Sequence, residues 1–430
     1  MRIKISFSNF GLGITLLFAL IAELYRFHGF LLVDLFVPIF VAAWTIQKAL
    51  KKDLPRFPQT LLPAALFLGI GLASLLINSI DLTSSQFLES VFYGVRFASF
   101  YFLSVIVFNQ TEHEKTTNLW MLAIFTFLLS LAGFVQVKIM PNFTSMEALG
   151  WDPHQGRLLS TWFDPNFVGG FLAFIIPVLL GAALDRKNIL KFSLPILAIA
   201  ALATLALLLT LSRSAYLAFI AAMLVFGLLR SVKLLAVFAI TFVLLVAILP
   251  PVQSRFISLV DSIGSATTSS YTLPDASSRL RYASWEEAWN LFMESPLIGQ
   301  GYNRYKYAAL ELGTLKDTEI HSASGSDSSL LNVLATTGIF GGIAFFAIYL
   351  LLAKSAIYPS RNFCGNLSCG FFAGIFALTV HSIFVNSLLF PLIMAPFWIC
   401  AGLIYGQSHC KNTSTVRPSG SSNQITSCTT

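Results

Sequence analysis

The sequence predicts an all-α polytopic membrane protein, with about twelve transmembrane helices and one long polar loop that contains amphipathic helices. Three observations lead there. Of the 430 residues, 56% are hydrophobic and only 11% charged, more apolar surface than a soluble fold can hide. The apolar residues fall into stretches long enough to span a bilayer, and Lys and Arg punctuate those stretches without forming a basic stripe. The net charge of +7 therefore does not point to nucleic acid as a partner. One polar interruption, from about Gln253 to Ser328, far outruns the others, and loops of that length are rarely idle connectors.

In chain order, the apolar stretches run near 10–25, 29–47, 61–80, 90–108, 118–138, 166–184, 189–211, 214–230, 232–250, 329–353, 367–388 and 390–406. Met1 to Phe27 has the charge of a signal peptide but no small-residue cleavage site, so it reads as the first membrane helix. With the N-terminus inside, sixteen basic residues fall on inner tails and loops and four (Arg26, Lys138, Arg157, Arg213) on short outer ones. That bias places the long loop outside. The expected organisation is membrane helices 1–9 over 1–252, the outer loop over 253–328, helices 10–12 over 329–406, and a disordered cytoplasmic tail over 407–430. Five cysteines, none in the long loop, do not indicate a disulfide-stapled outer domain.

Within the loop, Ser277 to Phe292 has its hydrophobic residues at helical spacing: Leu280 or Arg281, Trp285, Ala288 or Trp289, and Phe292. Ser277 or Ser278 can cap the start, and Pro296, Gly299 and Gly301 end it. Aromatics on one face and charges on the other suit a helix lying on the bilayer surface.

The residues able to carry chemistry gather on the same side. Arg96 stands within an apolar helix, where an unpaired charge costs at least about 2.5 kcal/mol; it marks a cavity or an ion pair with a carboxylate such as Glu89. Arg213 begins a helix after a tight turn, where amides and guanidinium could hold an anion, or it snorkels to lipid phosphate. Arg279 and Arg281 offer bidentate contacts to phosphate or pair with Glu286 along the helix. His321 and Asp327 are the acid–base candidates, although Asp327 also suits the N-cap of the next helix. His154 and His381 fit structural roles better. No metal-ligand spacing, Walker loop or dinucleotide fingerprint occurs, so the sequence calls for no metal and no cofactor. A lipid diphosphate bearing a sugar fits this set: its diphosphate is already a good leaving group, and arginines can neutralise the departing charge.

Several patches resemble the O-antigen ligase/polymerase superfamily. They are Arg157-Leu-Leu-Ser-Thr-Trp-Phe-Asp-Pro-Asn-Phe-Val-Gly-Gly170, Leu209-Thr-Leu-Ser-Arg-Ser-Ala-Tyr216, Arg281-Tyr-Ala-Ser-Trp285 with Glu294-Ser-Pro-Leu-Ile-Gly-Gln-Gly301, Asp327 to Gly341, and His381 to Asn386. They lie in order between about residues 90 and 405. The resemblance implies a GT-C-like glycosyltransferase in the bacterial cytoplasmic (inner) membrane. It would move a glycan from undecaprenyl diphosphate to a lipid or glycan acceptor on the periplasmic or exterior face, without metal. Arg213 and Arg281 match family arginines proposed to hold the diphosphate, and Arg157 joins them as a substrate-binding candidate. Ligases of the family place a histidine just before the tenth helix; here that position is Asp327, with His321 six residues earlier. A polymerase of the same family is the near alternative. A lipid-linked oligosaccharide transporter is the alternative from another class.

Overall fold

The computed structural model describes residues 6–27, 30–149, 151–185, 192–267, 276–314, 325–357 and 365–412. Each of the twelve apolar stretches holds a helix. They are α1 (Phe7–Ile21), α2 (Leu32–Leu50), α3 (Leu61–Ile77), α4 (Ser84–Phe108), α5 (Glu112–Ile139), α6 (Pro165–Asp185), α7 (Leu194–Leu209), α8 (Arg213–Arg230), α9 (Val232–Ile248), α13 (Ser329–Ile357), α14 (Asn366–His381) and α15 (Pro391–Asn412). The long loop supplies α10 (Pro250–Thr267), α11 (Ala276–Glu294) and α12 (Tyr305–Glu311). Among the described residues, seven helices are long and apolar enough to cross a membrane, or eight if α9 and the start of α10, bent by 110°, form one span. The expected twelve helices thus exist, but four of them (α3, α7, α14 and the described apolar part of α15) fall short of that length. The C-terminal tail lies outside the described residues from position 413 on.

Polar first turns extend two helices beyond their apolar stretches. Thr83 and Gln86 form a capping box at α4, and Thr111 and Glu114 form one at α5, each satisfying amides that have no partner within the helix. The centre of the bundle is α6, of whose 21 residues 16 are buried. It meets α14 at glycines: a Cβ at Gly370 would lie 2.1 Å from the Pro177 carbonyl oxygen, and one at Gly181 would lie 2.2 Å from that of Asn366. Small residues that let backbones approach this closely are the usual packing device between membrane helices.

The loop helices are built into the bundle. α11 buries Ala288 and Leu291 against Ala335 of α13 and against Tyr305, Ala308 and Ala309 of α12. Leu280 and Trp289 are exposed, so the inward stripe is narrower than the sequence suggests, and the helix packs on protein as well as facing outward. The segment after α11 repairs a break in α13. Gly338 adopts φ 63°, ψ −168° inside that helix. The amides of Gln300 and Gly301 donate to the carbonyls of Ala335 and Thr336 (2.9 and 3.0 Å). In return the Ile339 amide donates to Pro296 (2.9 Å) and the Phe340 amide to Leu297 (3.4 Å). Irregular backbone inside an apolar span persists only when its polar groups find such partners. Lys306 and Tyr307 then bind Glu89 of α4 at 2.8 and 2.9 Å.

That contact corrects one expectation. Glu89 is engaged by α12, and the partner of Arg96 is Asp34 of α2, at 2.5 Å, with the Arg96 guanidinium also 4.1 Å from the Tyr93 ring centre. Of the cysteines, Cys369 is disulfide-bonded and Cys400 is a buried thiol; Cys364 lies outside the described residues.

Candidate active site

The site is built on the turn between α7 and α8. Its centre, Leu211, has a left-handed backbone (φ 51°), which leaves the carbonyls of Thr210 and Leu211 without helical partners. Two arginines take them. Arg157 Nε donates to the Thr210 carbonyl and Arg255 Nε to the Leu211 carbonyl, each at 2.9 Å, a favourable placement of cations at a helix C-terminus. Ser212 caps α8 by accepting the Ala215 amide. Arg213, the first residue of α8, is only 7% exposed. Its two terminal nitrogens donate to Ser258 Oγ of α10 and Ser278 Oγ of α11, both at 3.4 Å. The buried side chain therefore does not snorkel to lipid; it ties the two loop helices to the turn. Ser258 lies three residues after Arg255, and Ser278 three before Arg281, so each serine shares a helix face with an arginine.

The connection from α5 to α6 delivers Arg157. Gln136 Oε1 accepts the Leu159 amide (2.8 Å), the Leu158 amide donates to the Leu209 carbonyl (2.9 Å), and buried Trp162 donates to the Ala19 carbonyl (3.0 Å). Asp164 then caps α6, its Oδ1 accepting the amides of Asn166 and Phe167 (2.6 and 3.2 Å), with Pro165 in the first helical position. From this frame Arg157 also reaches His154 Nδ1 (3.4 Å) and Asn166 Oδ1 (3.5 Å).

The guanidinium groups act on one another here. Burial, with the charges of Arg255 and Arg281 adding to it and Asp164 opposing, holds the Arg157 guanidinium down at about 10, far below the usual arginine range. Burial and then Arg157 also hold His154 below the ordinary histidine value. Because a guanidinium can only donate, His154 Nδ1 is the acceptor and its proton sits on Nε2, 3.9 Å from Asp152 Oδ2. His154 is thus oriented toward its neighbours and suits a structural role.

Asp327 comes near Arg281 from the start of α13. Its amide donates to Ser284 Oγ of α11 at 2.9 Å, one turn along from Arg281. Burial raises the Asp327 carboxyl above the ordinary value, Arg281 opposes this, and Asp164 and Asp152 add to it. Asp327 is not the cap of α13. Ser328 fills that role, its Oγ accepting the Leu331 amide (3.4 Å), which leaves the Asp327 carboxylate for other work.

Arg157 and Asp327 each lie within electrostatic reach of Arg281, and Arg213 bonds Ser278, three residues before Arg281 on α11. Arg279 is exposed on α11, Arg96 is held in its ion pair with Asp34, and His321 lies outside the described residues. His381, buried at the end of α14, bonds Ser214 and Ser387. Arg255 was not among the residues that the sequence singled out. The signal was Pro250-Pro251, which suits a helix's first turn and puts Arg255 about one and a half turns into α10.

Comparison with known families now bears on this geometry. A family model described as O-antigen ligase matches residues 196–346. That match supports the resemblance to the O-antigen ligase/polymerase superfamily over this part of the chain. No curated protein matches the chain. The O-antigen ligase segment runs from α7 into α13 and contains Arg213, Arg255, Arg281 and Asp327. Arg157 and His154 come to the same site from outside it. The family implies a glycosyltransferase-like enzyme of ligase or polymerase type acting on lipid-linked glycans, in a multi-pass membrane protein.

Proposed function

We propose that the protein transfers a glycan from undecaprenyl diphosphate to an acceptor hydroxyl, with Arg157, Arg213, Arg255 and Arg281 holding the diphosphate. The observation that carries this reading is the crowding of four guanidinium groups around the α7–α8 turn. Like charges held together oppose one another, and a bound diphosphate relieves that opposition. It brings two negative charges shared over four non-bridging oxygens, which Arg forks can grip in pairs. The same contacts strengthen as the glycosidic oxygen leaves with its electrons, so they stabilise the transition state more than the bound donor. The N-terminal end of the α8 dipole, at Arg213, adds to the positive field.

The acceptor hydroxyl needs a proton acceptor within hydrogen-bond reach. Asp327 is our candidate, either as the base itself or as the residue that orients His321. The Lys and Arg distribution supports a site on the outer face, with both termini inside. A cysteine placed at exposed Ser277 should accordingly react with an impermeant thiol reagent added to intact cells; protection there overturns the orientation.

Purified protein incubated with an oligosaccharide on undecaprenyl diphosphate tests the activity. Glycan moved to a separate lipid or glycan acceptor identifies a ligase, and longer glycans on the same polyprenyl carrier identify a polymerase. No transfer to any acceptor, with the donor recovered intact, overturns the reading.

A further inference from the structure

We infer that His381 is a positioning residue for the diphosphate-binding arginines, acting on Arg157 through Ser214, Ser212 and Asn166. The inference rests on the anion-site reading above and extends it to a residue 0% exposed and well removed from the turn in sequence.

The four steps are continuous. Arg157 donates to Asn166 Oδ1 at 3.5 Å, and Ser212 Oγ donates to the same oxygen at 2.8 Å. Ser212 Oγ and Ser214 Oγ are 3.1 Å apart. Ser214 Oγ lies 3.3 Å from His381 Nε2, and His381 Nδ1 lies 2.5 Å from Ser387 Oγ. α6, α8 and α14 each contribute, and the glycines at the start of α6 make room. A Cβ at Gly170 would lie 2.6 Å from the His381 ring, and one at Gly169 would lie 2.6 Å from the Ala215 Cβ.

The chemistry of the donors fixes the direction of every bond. A guanidinium has no acceptor, so Asn166 must present its oxygen to Arg157. A hydroxyl has one proton, and Ser212 spends its own on Asn166, so Ser214 donates to Ser212. That uses the Ser214 proton, so the next hydrogen comes from His381 Nε2–H. Nδ1 is then left to accept from Ser387, whose proton turns to the imidazole at 2.5 Å in preference to the Val385 carbonyl at 3.1 Å. The reverse polarity would leave Ser212 and Asn166 oxygens facing each other at 2.8 Å with no hydrogen between them. The imidazole therefore sets the orientation of the chain, and the chain holds Asn166 with its oxygen toward the guanidinium. Without that donor, Ser212 and Ser214 are free to turn, and Arg157 loses one of the three partners that set its plane, keeping the Thr210 carbonyl and His154.

A buried histidine that merely fills space would give a different mutational pattern, and four variants of the full-length protein separate the two. Affinity for undecaprenyl diphosphate in detergent micelles is measured for the wild type, Ser214→Ala, His381→Leu, His381→Gln and the Ser214→Ala/His381→Leu double variant. Thermal unfolding is followed in parallel. Ser214→Ala and His381→Leu should each weaken binding about three- to tenfold. His381→Gln, whose amide can still donate to Ser214, should recover most of the loss. The double variant should be no weaker than the worse single one, because one chain has been cut twice. If turnover is assayable, the loss should fall on KM for the donor more than on kcat.

Equal binding in the wild type and Ser214→Ala overturns the inference, and so does equal damage from Leu and Gln at His381. Ser214→Ala removes one hydroxyl, so it keeps the test decisive should His381→Leu fail to fold. If the wild type binds no diphosphate, the anion site and the inference fall together. If the wild type transfers no glycan yet the variants weaken binding in the stated pattern, the transferase reading falls and the positioning role stands.

Discussion

Two parts of the molecule hold arginine away from bulk water, and they do so in opposite ways. Between α2 and α4, Arg96 meets Asp34 at 2.5 Å, with their side chains 12% and 1% exposed. One positive charge faces one negative charge, and Tyr93 covers the guanidinium. At the α7–α8 turn, Arg157 and Arg255 bind backbone carbonyls and Arg213 binds serine hydroxyls. The first arrangement closes one charge against another between two helices; the second gathers several guanidinium groups onto one turn and onto the loop helices beside it. Sequence position alone does not separate the two, since both kinds of arginine stand beside or within apolar helices.

The largest expected effect breaks the balanced pair. Arg96→Leu leaves the Asp34 carboxylate buried without its partner, and loss of one member of such a pair costs about 3–5 kcal/mol. A lower unfolding temperature and poor yield from the membrane should follow. Replacing both residues with leucine should recover most of the stability, because the cost lies in the stranded charge. Should Arg96→Leu fold normally and lose only turnover, Arg96 belongs with the site and the contrast fails.

Next come the arginines of the turn. Arg213→Ala and Arg281→Ala should each lower turnover by about one to two decades, from roughly 1.5–3 kcal/mol per charge-assisted contact. Arg281→Ala should change the unfolding temperature little, whereas Arg213→Ala should lower it too, because Arg213 ties α10 and α11 to the turn. Lysine should rescue each only in part, since the fork is lost. Arg157→Ala and Arg255→Ala should lower both quantities, because these two also hold the end of α7. Unchanged activity in all four variants would remove the diphosphate from this turn.

How these regions came to differ was only partly legible in the sequence. The twelve helices were, because each is a run of apolar residues bounded by polar or glycine-containing turns. The start of α4 was not, since its capping box lies in a polar turn outside the apolar run. The motif arginines Arg157, Arg213 and Arg281 stood out by their neighbours, yet nothing local said that Arg157 would reach the Thr210 carbonyl 53 residues away. The Asp34–Arg96 pair spans 62 residues, and Asp34 reads locally as one acid in the first turn of a helix. The break in α13 was hidden for the same reason. Gly338 lies in an apolar run that continues smoothly, and its conformation is held by residues 296–301 from another part of the chain.

That break gives a third, smaller test. Gly338→Ala must adopt a left-handed backbone, at about 1–3 kcal/mol, and its Cβ would lie 2.3 Å from the Leu297 carbonyl oxygen. The damage should spread to the site, because the Pro296–Gly301 segment follows α11, which bears Arg281 and Ser284. Lower stability together with a raised KM for the donor is expected. A variant that loses stability alone would show that α11 is placed without this seam.

The smallest effect is a shift along the pH axis, and it decides what Asp327 does. Its carboxyl is raised by burial and held back by Arg281. A base works deprotonated, so activity should fall with acid through a value above the ordinary carboxylate range of about 3.9. Arg281→Gln removes a charge that favours the carboxylate, so the acidic limb should move to higher pH; Arg281→Lys keeps the charge and should leave it in place. Asp327→Asn then separates the two roles. If Asp327 is the base, the variant is inactive at every pH. If it orients His321, the variant retains reduced activity. Its limb, near the histidine value of about 6.5 in the wild type, should move to lower pH, because an imidazolium that loses a neighbouring carboxylate gives up its proton more readily. A limb that stays put in an active Asp327→Asn variant excludes both roles and leaves Asp327 outside the chemistry.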